Sequence, residues 1–254
     1  MSSVPGLELM ASDHRLEGRV ALVIGANGGI GNAAAHALLT AGAEVVVATR
    51  SADKLDRLLT TFRAGPNISG AIVDLEAPGT LIETAEYLEA HWGRLDILVI
   101  GGGIFGEIAP MAELDIDEWQ RALEINLTSN LRLIQALNPL LLKSAAARPI
   151  FIGSGAARSP RQSWAAYCVS KAALEALVRN YALEVEGTGI KPVLLNPGAI
   201  RTAMRAGIFP DEDPNSVTAP EKLGPFIVDL SRADGNPDPI MWFAEWRKAQ
   251  EAQA

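Results

Sequence analysis

The most constraining feature of this sequence is a rhythm. Short runs of Val, Ile, Leu and Ala recur at 19–24, 44–48, 68–73, 95–100, 149–152 and 190–195, without polar alternation. Between them lie longer stretches with helical periodicity, near 29–41, 51–63, 79–91, 115–143 and 163–187. Strands that are apolar on both sides belong to a sheet covered on both faces. Repeated strand–helix alternation builds such a sheet from parallel strands joined by crossover helices. The chain therefore reads as α/β, a doubly wound parallel sheet in three α/β/α layers. No linker-like stretch divides it, and 254 residues lie near the upper end of what one core supports. One domain over 17–254 is expected, preceded by a flexible tail at 1–16 that carries Ser2, Ser3, Pro5 and Gly6.

Two segments break the rhythm. Residues 199–225 carry Pro210, Pro214, Pro220 and Pro225 beside Asp211, Glu212 and Asp213. That composition interrupts regular structure and reads as a substrate loop or lid, or as a solvated connection. Residues 234–254 hold Met241, Trp242, Phe243 and Trp246, which suit a last edge strand or an oligomer contact.

Composition removes several classes. A formal charge of −8 repels phosphate backbones, so nucleic acid is not an expected partner. The lone Cys168 and the scattered His14, His36 and His91 provide neither a disulfide framework nor a metal-ligand pair, so no metal is expected. The most apolar run, 95–104, is too short to span a bilayer, and the first residues do not resemble a secretory signal. A soluble, cytoplasmic protein with no membrane partner is expected.

After the first strand stands Ile24-Gly25-Ala26-Asn27-Gly28-Gly29-Ile30-Gly31, followed by a helical run. A glycine turn between strand and helix lets backbone N–H groups approach a pyrophosphate at the helix N-terminus. Gly25, Asn27, Gly29, Ile30 and Gly31 are thus candidates for a dinucleotide. The second strand ends Val47-Ala48-Thr49-Arg50-Ser51. A carboxylate there would bind both ribose hydroxyls of NAD, whereas an arginine pairs with a 2′-phosphate. Arg50 therefore favours NADP(H) over NAD(H). Asp74 and Leu75, at the end of the third strand, lie near where an adenine would sit, although Asp74 equally suits a cap of the next helix.

Tyr167 and Lys171 are four residues apart in a helical run and share one face. Ser154 follows the fifth strand, at the carboxyl edge where open α/β sheets bind ligands. Hydride transfer to a carbonyl leaves an alkoxide that must take up a proton. A free tyrosine has a pKa of about 10, and lowering it to about 7 takes about 4 kcal/mol. A lysine cation about 4 Å away supplies roughly that at an effective dielectric of 20. A serine hydroxyl polarises the carbonyl, and a nicotinamide supplies the hydride.

The glycine turn, Asp74, Asn126 in Ile125-Asn126-Leu127, Ser154, Tyr167-x-x-x-Lys171 and Asn196-Pro197-Gly198 occur in one order. In that order they resemble the short-chain dehydrogenase/reductase family over 17–205. The resemblance implies a Rossmann-type fold and an NADP(H)-dependent carbonyl reductase, or the reverse alcohol dehydrogenase. It implies that Tyr167 is the general acid/base and that Ser154 positions the substrate oxygen. Lys171 would bind the nicotinamide ribose and tune Tyr167, and Asn126 would hold a water in a proton relay. Gly101, Gly102 and Gly103 would approach the adenosine, and Pro197, Gly198, Ile200 and Thr202 would line the nicotinamide end. It further implies a homotetramer or homodimer built through the helices at 115–143 and 163–187.

Two departures stand out. Ile24 replaces a usual Thr, and Ile100-Gly101-Gly102-Gly103 replaces Asn-Asn-Ala-Gly. The change loses an amide that braces neighbouring strands, which bears on sheet rigidity more than on chemistry. A 3-ketoacyl reductase is a second expectation, but of the two carrier-docking arginines of that group only Arg132 is basic, the other position being Leu183. A catalytically silent dinucleotide-binding regulator is a third, opposed by the intact Asn126, Ser154, Tyr167 and Lys171.

Overall fold

The computed structural model describes residues 14–62 and 65–252. Its centre is one parallel sheet of seven strands in the order β3-β2-β1-β4-β5-β6-β7. The strands are β1 (Val20–Ile24), β2 (Glu44–Thr49), β3 (Ile68–Ile72), β4 (Ile97–Ile100), β5 (Arg148–Ile152), β6 (Val193–Asn196) and β7 (Ile240–Trp242). Every residue of β1, β4, β5 and β6 is buried, as the unbroken apolar runs require of central strands covered on both faces. β6 starts at Val193 rather than 190 because Pro192 has no N–H to give the ladder.

Helices α1 (Gly29–Thr40), α2 (Ala52–Thr61), α3 (Gly79–Trp92), α4 (Ile116–Leu123), α5 (Ser129–Leu142) and α6 (Ala165–Glu184) connect the strands. Alternate strand residues feed two cores. Val23, Val45, Val47 and Val99 meet Ala34 and Leu38 of α1 on one face. Leu22, Val46, Leu98 and Ile100 meet Leu88 of α3, Leu133 and Leu137 of α5 and Val178 of α6 on the other. The three-layer arrangement is the one the alternation predicts.

The long helix expected at 115–143 is two helices joined by a five-residue π turn, Glu124–Thr128. Its start is fixed by Asp115, whose carboxylate accepts from the Asp117 and Glu118 amides at 2.7 and 3.2 Å. The helix expected from 163 begins at 165, because Ser163 has φ 65°, outside the helical region. The proline-rich segment 199–225 is more regular than its composition suggests. It holds α7 (Ala203–Ile208), 3₁₀ turns at Pro214–Ser216 and Pro220–Leu223, and a bridge from Ile200 to Thr218. α8 (Gly224–Leu230) follows, and the C-terminal segment supplies the edge strand β7 and then α9 (Phe243–Glu251).

Residues 1–13 of the expected tail lie outside the described residues. Residues 14–16 form a turn whose Leu16 is fully buried.

The amino ends of the strands are closed. Asp96 accepts from the Val20 amide and the Ser144 hydroxyl. The buried Arg148 guanidinium donates to the carbonyls of Ala233 and Gly235 at 2.9 and 2.7 Å. The open end is the carboxyl edge, at the β1/β4 switch point where the strand order reverses.

Candidate active site

The turn from β1 to α1 shows why glycine is needed there. Gly25 has φ 74°, and a Cβ on it would sit 2.8 Å from the Gly102 amide nitrogen. A Cβ on Gly31 would lie 2.3 Å from the Gly25 carbonyl oxygen, so the first turn of α1 rests on the end of β1. The N-cap of α1 is Gly28, which offers no side chain to the first amides, and the first turn carries no acid. This helix therefore presents unsatisfied N–H groups and the positive end of its dipole to the cleft. That is a fit for the pyrophosphate of a dinucleotide.

A cleft of about 360 Å³ opens along the carboxyl edge. Gly25, Asn27, Gly29 and Ile30 line it from the glycine turn, and Gly101, Gly102 and Gly103 from the end of β4. Ser154, Tyr167 and Lys171 line it from β5 and α6, and Pro197, Gly198, Ile200 and Thr202 from the segment after β6.

Five further candidates stand outside the wall. Gly31 supports the turn from below. Arg50 is exposed directly after β2, and makes no hydrogen bond or ion pair with the described residues. Asp74 uses its carboxylate on the Glu76 amide at 3.0 Å, starting the turn before α3. Leu75 fills the space beside Gly102, its Cδ1 2.8 Å from where a Cβ would be. Together with Ile24 and Ile100, paired across β1 and β4, it puts apolar packing where the missing amide would have braced the strands.

Asn126, the fifth, is fully buried in the π turn. Its Oδ1 accepts from the Ile104 amide at 2.9 Å, and its Nδ2 donates to the Ile104 carbonyl at 2.8 Å and the Ser170 hydroxyl at 3.0 Å. The side chain thereby ties the loop after β4 to α6.

Ser154 has extended backbone and caps a 3₁₀ turn, its Oγ accepting from the Ala156 amide at 3.2 Å. The bond occupies an acceptor lone pair and leaves the O–H free to donate into the cleft. Lys171 is 6% exposed, and its Nζ donates to the Ile152 carbonyl at 2.9 Å. Burial holds its pKa down to about 8. Nζ lies 5.9 Å from the centre of the Tyr167 ring.

The electrostatics at Tyr167 differ from the expectation of a strongly acidified phenol. Burial raises its pKa, and the Ser154 hydroxyl pulls in the opposite direction. The lysine has moved into the same apolar region, where its own charge is disfavoured. The resting phenol is the protonated form.

Several cleft residues were not singled out from the sequence, chiefly Phe105, Trp164 and Phe209, with Met204 and Ile208. Trp164, three residues before Tyr167, carries the nearest thing to a local signal. Arg132 is paired with Glu124, Leu183 is 71% exposed on α6, and neither lines the cleft. Among the described residues no group of His, Cys, Asp and Glu is placed to hold a metal ion, and no helix is long and apolar enough to cross a membrane.

Comparison with known proteins gives a consistent picture. Residues 19–213 match the family described as short chain dehydrogenase. The uncharacterized oxidoreductase YciK of Escherichia coli K12 is 34% identical over 223 residues, 86% of this chain and 88% of that protein. The 3-oxoacyl-acyl-carrier-protein reductase FabG of Salmonella typhimurium is 33% identical over 196 residues, 77% of this chain and 79% of that protein. A crystal structure of a short chain dehydrogenase from Shigella flexneri 2a, complexed with NADP, superposes with a TM-score of 0.85 at 32% identity, covering 91% of this chain and 98% of that one.

Proposed function

The chain belongs to the short-chain dehydrogenase family and is an NAD(P)-dependent oxidoreductase; from that premise we propose that it moves a hydride between NADP(H) and a carbonyl or alcohol substrate, with Tyr167 as general acid/base. What carries this reading is the convergence of Ser154, Tyr167, Lys171 and the uncapped start of α1 on one cleft. When bound, the nicotinamide supplies the hydride for reduction or takes it up in the reverse direction. The chain's own residues handle the oxygen and its proton. The Ser154 hydroxyl, its acceptor side held by the Ala156 amide, donates to the substrate oxygen. Tyr167, protonated at rest, delivers the proton as the alkoxide forms. Lys171, held by the Ile152 carbonyl, brings a positive charge to the phenol and a donor to the cofactor ribose.

The glycine turn and Gly101, Gly102 and Gly103 would hold the dinucleotide, with Asp74 and Leu75 beside its adenine. Arg50, exposed and unpaired among the described residues after β2, would take the 2′-phosphate, and this supports NADP(H) over NAD(H). Pro197, Gly198, Ile200 and Thr202 would border the nicotinamide. Asn126 would contribute to proton relay from its place behind Ile104. The segment 199–225 would act as the substrate loop, a reading supported by the Met204, Ile208 and Phe209 side chains it sends into the cleft. The acyl-carrier reading lacks this kind of support, because Arg132 is neutralised by Glu124 and Leu183 is apolar. A homo-oligomer is supported by exposed apolar stripes on the two long helices, Leu131 and Leu142 on α5 and Val169 and Leu183 on α6.

The test is Tyr167→Phe. Cofactor oxidation across a carbonyl panel should fall by about a thousandfold or more, because the proton donor is removed. NADP+ affinity by calorimetry should stay within about threefold. Near-normal turnover in this variant would remove Tyr167 from the role.

A further inference from the structure

The cleft wall facing the glycine turn is made of rings from three separate segments. Phe105 comes from the loop after β4, Trp164 is the residue before α6, and Phe209 is the residue after α7. Phe105 stacks on Tyr167, with centroids 4.5 Å apart and planes at 22°. Trp164 meets Phe105 edge-on at 4.6 Å and 88°. Phe209 lies 5.9 Å from Trp164 at 55°. The left-handed backbone of Ser163, whose carbonyl accepts from the Ala109 amide at 3.2 Å, fixes the approach of Trp164.

The charges in this cleft are already spoken for. No Asp or Glu lines it, and its cations are Lys171 and Arg205. Lys171 is committed to the Ile152 carbonyl. Arg205 forks onto both Glu212 oxygens at 2.5 and 2.6 Å, and its guanidinium covers the Phe209 ring at 4.7 Å. A carboxylate or phosphate on the substrate would have to displace Glu212 and strand it. A neutral ring instead meets aromatic edges and faces. Each such ring pair is worth roughly twofold to tenfold beyond the area it buries, a gain that a linear alkyl chain of equal size does not receive.

We infer that the substrate is a neutral carbonyl compound bearing an aromatic or similarly flat ring next to the reacting carbon, and that Trp164 and Phe209 select it. This rests on the hydride-transfer reading above. The experiment measures kcat/KM with NADPH for acetophenone, octan-2-one and 4-acetylbenzoate, in the unmodified enzyme, Trp164→Leu and Trp164→Phe. Acetophenone should lead octan-2-one by about tenfold and 4-acetylbenzoate by about a hundredfold. Trp164→Leu should cost acetophenone roughly tenfold and octan-2-one no more than about twofold, and Trp164→Phe should restore the preference. If Trp164→Leu does not fold, Phe209→Leu should give the same split. Calorimetric binding of acetophenone to the NADP+ complex provides a readout independent of turnover, and it should weaken in Trp164→Leu. A lead for octan-2-one or 4-acetylbenzoate, or an equal loss for all three ketones in Trp164→Leu, overturns the inference and leaves hydride transfer standing. If no ketone is turned over with NADPH or NADH, the hydride-transfer reading fails. The calorimetry then decides alone: binding that depends on Trp164 supports the ring site, and no binding overturns it.

Discussion

Lys171→Met separates what this lysine does for chemistry from what it does to the fold. Lys171 is buried without a carboxylate partner, and its pKa falls from 10.5 to about 8. A tenfold change in proton affinity is about 1.4 kcal/mol, so holding the ammonium in the fold costs roughly 3 kcal/mol at neutral pH. The sign follows from a base whose folded pKa lies below its unfolded one. The penalty is fully present below about pH 8 and fades as pH rises towards 10.5. Between pH 7 and pH 10 the unmodified protein should gain roughly 2–3 kcal/mol from this group alone. Methionine fills a similar volume and carries no charge, so it gains nothing over that interval. It does leave the Ile152 carbonyl without its donor, which costs about 1–3 kcal/mol. At pH 7 the two effects nearly cancel, and at pH 10 the variant should be the less stable by roughly 2–3 kcal/mol. Urea denaturation of both cofactor-free proteins, followed by circular dichroism at pH 7 and pH 10, measures the difference. All other titrating groups are common to the pair and cancel. A stability difference that is the same at both pH values would refute the argument, because the lysine would then not be a buried cation. Activity is a separate matter, and Lys171→Met should lose most of it at either pH.

Two further outcomes are expected. Arg50→Ala should weaken NADPH binding by about tenfold to a hundredfold, the worth of one charged hydrogen bond, and change NADH by less than about threefold; adding Thr49→Asp should reverse the preference, and equal losses for both cofactors in calorimetry would count against Arg50. The unmodified protein should be a symmetric oligomer at micromolar concentration by light scattering, and Leu183→Glu should shift it towards smaller species by placing a charge in the apolar stripe of α6; a monomer before mutation ends that reading.

The sheet was legible in the sequence wherever burial was two-sided. Val20–Ile24 and Ile97–Ile100 are apolar throughout because helices cover both faces. The edge strand Ile240–Trp242 is three residues long and half-buried, too little for periodicity to separate it from a contact surface. The glycine turn was readable because backbone needs at Gly25 and Gly31 exclude other residues. Tyr167 and Lys171 were readable because a helix fixes the four-residue spacing. The electrostatics around them were not. Phenol and lysine share an apolar region whose extent depends on Ile152 and Phe105, distant in sequence. The ring wall was hidden for the same reason, since Phe105, Trp164 and Phe209 meet only when three loops converge. The helix break at Ser163 and the π turn depend on tertiary contacts that no local propensity reports.

The π turn imposes a rule about chain length. Glu124–Thr128 winds one residue wider than its neighbours, so α4 and α5 are out of phase by the angle of a single residue, about 100°. Side-chain replacements along this pair act where they fall. A deletion of one residue would act at a distance, because it rewinds the turn and rotates everything that follows. Asn126 would leave Ile104 and Ser170, and Leu133 and Leu137 would turn away from the sheet, together. Among homologous chains, drift in this stretch should therefore be by substitution, with the spacing between Asp115 and Leu137 held constant.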